Sequence, residues 1–133
     1  MRTVMSITAV LVSALLALPA SAAPLDGSQP LLCAVTAVDE CSGGWGCERS
    51  TTDLARVPPF VRVDVQRRLL LTVDGGRTSP IATFQRMDGR LMLQGVQAQR
   101  VWGLVVDESS GEMSATVAEP DGAIVLSGTC IVP

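Results

Sequence analysis

The sequence predicts an all-β domain: an antiparallel up-and-down meander of about eight strands that closes into a small barrel stapled by disulfides. Three observations predict it. Apolar residues recur with period two from Phe60 onward, turn signals return every eight to fourteen residues, and the four cysteines are even in number in a chain that reads as exported. The alternative packing of the same strands is a two-sheet sandwich.

Residues 1–22 are expected to form a secretory signal peptide, followed by a single domain over 23–133. Met1-Arg2 gives a positive start, Val4 to Leu18 is a short apolar run, and Ala20-Ser21-Ala22 ends on small residues suited to cleavage. The run is shorter than the roughly 20 residues that span a bilayer, and Pro19 interrupts its end, so no membrane anchor is expected after cleavage. Cys33 follows Leu31-Leu32 and lacks the small residue that precedes a lipidated cysteine. The expected location is periplasmic or secreted.

Strand one is expected over 31–40, followed by a long loop at 42–59 that holds three glycines, Pro58-Pro59 and one helical turn after Thr52. Seven further strands are expected near 60–65, 68–74, 79–87, 90–97, 100–108, 112–119 and 123–131. Val61, Val63 and Val65 alternate with Arg62 and Asp64, and Leu91 and Leu93 alternate with Arg90, Met92 and Gln94. Trp102, Leu104 and Val106 share a face, as do Met113, Ala115 and Val117, and again Ile124, Leu126, Gly128 and Cys130. Between these runs stand Gln66-Arg67, Asp74-Gly75-Gly76, Asp88-Gly89, Ala98-Gln99, Ser109-Ser110-Gly111 and Asp121-Gly122 as turns.

An even number of strands lets the last pair antiparallel with the first and hides both edges. That arrangement sets Cys33 beside Cys130 and leaves Cys41 and Cys47 to clasp a glycine-rich ring. Four cysteines allow three pairings, and this one follows from the barrel. A zinc site would need closer thiolate pairs than spacings of seven, five and eighty-two residues provide. A thioredoxin-like site would need Cys-x-x-Cys at a helix start.

Composition excludes much familiar chemistry. The chain has no His, Lys, Tyr or Asn, which removes His-based triads, HExxH zinc sites, Schiff bases and the phosphate-loop lysine. Cleavage also removes Arg2, leaving nine Arg against thirteen acids, a net charge of −4 that does not suit nucleic acid. No cofactor or metal is expected, and the chain is not expected to be an enzyme, because no nucleophile and base stand in a recognisable pattern. Asp64, Asp39 and Glu40 are conceivable carboxylates for glycosidase-like work, but nothing in the sequence brings two together.

Several stretches resemble an uncharacterised family of small exported proteins from GC-rich Gram-negative bacteria. They are Leu32-Cys33-Ala34-Val35-Thr36, the Cys41 to Cys47 loop, Pro59-Phe60-Val61-Arg62-Val63-Asp64, Leu93-Gln94-Gly95-Val96, Arg100-Val101-Trp102-Gly103, Gly111-Glu112-Met113-Ser114-Ala115-Thr116 and Gly128-Thr129-Cys130. The resemblance implies an exported β-rich domain and no particular activity. A looser likeness of architecture is to the periplasmic inhibitors of C-type lysozyme, which are also small disulfide-bonded barrels.

The foremost candidate contact is Trp45, flanked by Gly44 and Gly46 in the Cys41 to Cys47 ring. A rigid aromatic held outward loses little entropy on contact and brings a large apolar area; alternatively, Trp45 folds back to plug a barrel mouth. The second candidate is the arginine-rich stretch 57–100, with seven Arg against three acids, which reads either as a polyanion face or as a wall paired with acids on neighbouring strands. The expected function is a monomeric, non-enzymatic exported barrel that binds an envelope protein. The alternatives are a carrier of a small apolar ligand in the barrel interior, with Phe84, Met92, Trp102 and Met113 as large inward candidates, and a lysozyme-inhibitor-like protein.

Overall fold

The computed structural model describes residues 22–133, so the expected signal peptide lies outside the described residues apart from Ala22. The described residues form ten β-strands and no helix: β1 (Leu31–Ser42), β2 (Gly46–Ser50), β3 (Phe60–Asp64), β4 (Leu69–Thr72), β5 (Thr78–Pro80), β6 (Thr83–Met87), β7 (Arg90–Gln97), β8 (Arg100–Asp107), β9 (Glu112–Glu119) and β10 (Gly122–Ile131). They make one antiparallel sheet, ordered β5-β4-β3-β1-β10-β9-β8-β7-β6, with β2 branching from β1. The sheet curls into a half-barrel around its apolar face. The all-β antiparallel expectation holds in this form.

Strand β1 organises the sheet because it pairs on both sides. One side runs along β10 from Leu32↔Ile131 to Ser42↔Gly122, which places the first and last strands together as the meander requires. The other side is shared: Leu31 to Ala34 pair with β3, and Val38 to Ser42 pair with β2. At the changeover a bulge leaves Thr36 without a register partner. The extra residue reverses the pleat. Leu31 and Cys33 are therefore buried before the bulge and Val38 after it, odd positions giving way to even.

The count of eight strands is corrected at two places. The expected loop at 42–59 contains β2, a strand whose first four residues are all exposed, so it shows none of the apolar alternation by which strands are recognised. It is held instead by its ladder to β1, the Cys41–Cys47 bond and the Arg49–Asp39 ion pair at 3.2 Å. The expected strand 79–87 breaks into β5 and β6 because Pro80 has no N–H to continue a ladder. At the break, Ile81 N–H donates to Arg68 O and Ala82 N–H donates to Gln94 O, each at 2.9 Å. The two edge strands of the sheet are thus successive in the chain, and the backbone between them bonds first to one flank and then to the other.

The larger core cluster joins Leu31, Val63, Ile81, Leu91, Leu93, Trp102 and Val106 with the Cys33–Cys130 bond. Trp102 lies over Gly95, its cross-strand partner, where a Cβ would collide with the indole and with Pro80 O. Glycine leaves the space that the ring fills. Met113 is buried and Phe84 packs against the core, whereas Met92 alternates onto the outer face, so it is not one of the inward residues. The smaller cluster joins Val38, Ile124 and Leu126 to Ala55 and Val57 from the segment after β2.

Both ends of the curl are covered by chain. At the end carrying the β3–β4 turn, Leu25 packs against the core and buried Gly27 accepts a hydrogen bond from Gln66 Nε2 at 3.4 Å. At the other end gather the β1–β2, β4–β5, β7–β8 and β9–β10 turns, as alternating strand direction demands. Two contacts knit this end: Gly43 N–H to Asp121 O at 2.9 Å and Gln97 Nε2 to Thr78 O at 3.0 Å.

Candidate functional site

The candidate site is built from the β1–β2 hairpin and the segment that follows it. Gly44 and Gly46 adopt φ of 85° and 86°, a left-handed conformation that glycine enters at little cost, and the chain reverses within Gly43–Trp45. Cys41 and Cys47 are register partners immediately below this turn and are bonded. The turn is thereby fixed at both its feet. Trp45 stands at its tip with 91% of its surface exposed.

Trp45 does not fold back over the end of the half-barrel. That place is taken by residues 51–57, the helical turn expected after Thr52. Thr51 Oγ1 accepts from Leu54 N–H at 3.2 Å to cap its start, and Ala55 N–H donates to Thr51 O at 3.0 Å. The turn closes in a Schellman arrangement, with Val57 N–H on Thr52 O, Arg56 N–H on Asp53 O, and Arg56 at φ 54° where glycine is usual. This geometry delivers Ala55 and Val57, 6% and 8% exposed, into the smaller core cluster. It also leaves Leu54 pointing away, 74% exposed.

Between the hairpin and this turn lies a groove of about 400 Å³ lined by Glu40, Trp45, Glu48, Arg49 and Leu54, among others. Trp45 and Leu54 are the large apolar side chains of its lining, and Glu40, Glu48 and Arg49 are the charged ones. Sequence reasoning singled out the tryptophan but not Leu54, Glu40 or Glu48 as its neighbours. The signal that could have found them was the Cys41–Cys47 pairing, which forces a hairpin and so sets Glu40 opposite Glu48. A second cleft, of about 540 Å³, lies on the other side of the 51–57 turn and is lined by Arg56, Phe60, Val73 and Arg77, with Asp53 and Asp74 balancing the arginines.

The remaining candidates have structural occupations. Asp64 is buried and accepts from Arg67 N–H at 2.9 Å, capping the β3–β4 turn. Asp39 is paired with Arg49, and Glu40 accepts from the Ser50 hydroxyl, so the structure does not join either to Asp64. Asp107 accepts from the Ser109 hydroxyl and from the N–H groups of Ser109 and Ser110. Those bonds hold its carboxyl down to about 2, the Ser109 hydroxyl contributing most. From the arginine-rich stretch, Arg86 makes a two-pronged contact with Glu108, at 2.8 Å through Nη2, and Arg100 meets Glu119 at 3.0 Å. Two of the seven arginines of that stretch are thus paired with acids, and only Arg100 with one on a neighbouring strand. Among the described residues, no three of His, Cys, Asp and Glu gather as metal ligands.

No protein-family model, curated protein or solved structure matches the chain. Fold and site alone therefore define the class: a disulfide-stapled antiparallel β domain that displays Trp45 beside a groove at one end.

Proposed function

We propose that this chain is an exported, non-enzymatic β-barrel domain that binds a macromolecular partner in the cell envelope through the end that carries Trp45. The single observation that carries the reading is the state of Trp45: fully displayed on a turn that two glycines shape and a disulfide closes. A large side chain in water is costly to hold for no gain, and one fixed in place is a ready anchor. The two disulfides fit an oxidising compartment outside the cytoplasm.

The interior supports binding at the surface rather than carriage within. An apolar space within it, among Val35, Val63, Leu70, Leu104 and Met113, is about 100 Å³. Ligand pockets are typically about 300–1,000 Å³. In the same reading the barrel is closed, with Ile81 and Ala82 as its seam; hydrogen exchange tests this, since a closed seam protects both amides like those of the central strands.

The functional test is Trp45→Ala. The variant should keep the melting temperature of the native protein and lose binding to the envelope partner by a factor of roughly ten or more, as removal of an interface anchor does. A folded Trp45→Ala protein that binds its partner unchanged overturns the assignment.

A further inference from the structure

The groove beneath Trp45 carries charge on the face that elsewhere is apolar. Val38, Glu40 and Ser42 alternate onto one side of β1, and Val38 on that side belongs to the smaller core cluster. Across the ladder, Glu48 is the direct register partner of Glu40. Like charges directly opposite on antiparallel strands repel. Among the described residues, no arginine forms an ion pair with either glutamate, and Arg49, which stands next to Glu48, is engaged by Asp39 instead. Ser50 gives Glu40 a hydrogen bond but no countercharge.

Trp45 and Leu54, 91% and 74% exposed, line the same groove of about 400 Å³ as these carboxylates. The groove thus combines two features of one kind of ligand. Carboxylates attract a cation, and an indole with an aliphatic neighbour receives the apolar stem of a long side chain or the cation on its ring face. A neutral or acidic ligand would leave the Glu40–Glu48 repulsion in place.

We propose that the groove receives a cationic side chain, arginine or lysine, presented by an exposed segment of a partner protein. Its charge lies between Glu40 and Glu48 and its stem against Trp45 and Leu54. The proposal rests on the reading that the Trp45 end is the binding end, and it adds the chemical class of the partner.

The full-length mature protein, labelled with nitrogen-15, gives one indole N–H signal from each of its two tryptophans, and Trp45→Phe assigns them. Three short peptide amides serve as probes: tri-arginine, tri-glutamate and the neutral Ala-Leu-Ala. Tri-arginine should shift the Trp45 signal saturably and leave Trp102 unmoved, with binding that weakens as salt rises from about 0.01 M to 0.15 M. The double variant Glu40→Gln, Glu48→Gln should fold with a melting temperature at or above the native one, because repulsion is relieved, and should bind tri-arginine about fivefold or more weakly. If Ala-Leu-Ala or tri-glutamate shifts Trp45 as strongly, or the double variant binds tri-arginine unchanged, the cationic class is wrong while Trp45 stands as a contact. If no probe moves Trp45, this proposal falls, and the Trp45→Ala partner test alone decides the broader reading.

Discussion

The indole N–H of Trp102 donates to the Ser79 hydroxyl at 2.8 Å, joining β8 to β5 through the interior of the curl. Both residues are buried, at 8% and 2% exposure. Trp102 therefore fills the space above Gly95 and also satisfies its one polar group at the place where the sheet meets its own edge strand. Ser79→Ala removes the acceptor and leaves the indole N–H unpaired. Urea unfolding should show a loss of about 1–3 kcal/mol, the cost of an orphaned buried donor. A loss within about 0.5 kcal/mol, the range of an ordinary surface substitution, would mean that the indole finds another acceptor.

The two disulfides differ in both burial and reach. Cys33 and Cys130 are each 1% exposed and close a separation of 97 residues, whereas Cys47 is exposed and its bond spans only 6. Loop-closure entropy gives about 4.7 kcal/mol for a 100-residue loop and roughly 2 kcal/mol for the short one. Replacing Cys33 and Cys130 by alanine should therefore cost more stability than replacing Cys41 and Cys47. Limiting reductant followed by alkylation and mass spectrometry should find Cys41 and Cys47 modified first; modification of Cys33 and Cys130 at an equal rate would contradict the burial argument.

What was legible in the sequence was whatever the pleat repeats. The rows Leu91-Leu93, Trp102-Leu104-Val106 and Ile124-Leu126 were visible because one face of each strand is buried and the other is wet. The pairing of first and last strands, and with it Cys33 with Cys130, followed from the need to hide edges. What escaped was set by tertiary contact rather than by pattern. Strand β2 has no buried face to announce it, and the bulge at Thr36 shows only as a change of parity between Cys33 and Val38. The plug by Ala55 and Val57 depends on where the Arg56 terminus aims the chain, which no periodicity encodes. At the site, Trp45 stands out by its place between two glycines in the Cys41 to Cys47 ring, while Glu48 becomes its neighbour only once the hairpin has formed and Leu54 only once the following turn has.

Acid should act through the β8–β9 turn. The Asp107 carboxyl is lowered from 3.8 to about 2 by its hydrogen bonds, first the Ser109 hydroxyl and then the N–H groups of Ser110 and Ser109. Asp74 and Glu108 are lowered as well, by Thr72 and by Arg86 respectively. A folded carboxyl that holds its proton less tightly than the unfolded one stabilises the fold when ionised. The contribution is complete above the unfolded value of 3.8 and is lost as pH falls through about 2. Thermal melts of the native protein and Asp107→Asn should therefore differ at neutral pH and converge toward the lower value. A difference that stays constant over that range would show that the charge of Asp107 is not what holds the turn.

Two hairpin turns of the same kind carry different residues, and the contrast predicts where stability can be gained. The β6–β7 turn is Asp88-Gly89, with φ of 51° and 73°, and the β7–β8 turn is Ala98-Gln99, with φ of 49° and 63°. Both central positions of each turn are left-handed, as a two-residue hairpin that matches the sheet twist requires. Asp and Gly adopt that conformation readily. Ala and Gln do not, because their Cβ atoms crowd the following carbonyl at about 1–2 kcal/mol per residue. The β7–β8 turn keeps its form because its flanks are fixed: Gln97 donates to Thr78 O at 3.0 Å on one side, and Arg100 meets Glu119 at 3.0 Å on the other. Gln99→Gly should therefore remove the crowding at one position, and Ala98→Asn should offset it at the other through the local hydrogen bonds of a short amide, without changing the register Gln97↔Arg100. The greater freedom of glycine in the unfolded chain offsets part of this, by about 0.4–1 kcal/mol. The net expectation is a gain of about 1 kcal/mol in urea unfolding at unchanged dependence on denaturant. A double variant less stable than the native protein would mean that the Ala98 or Gln99 side chain makes a contact worth more than the crowding it causes.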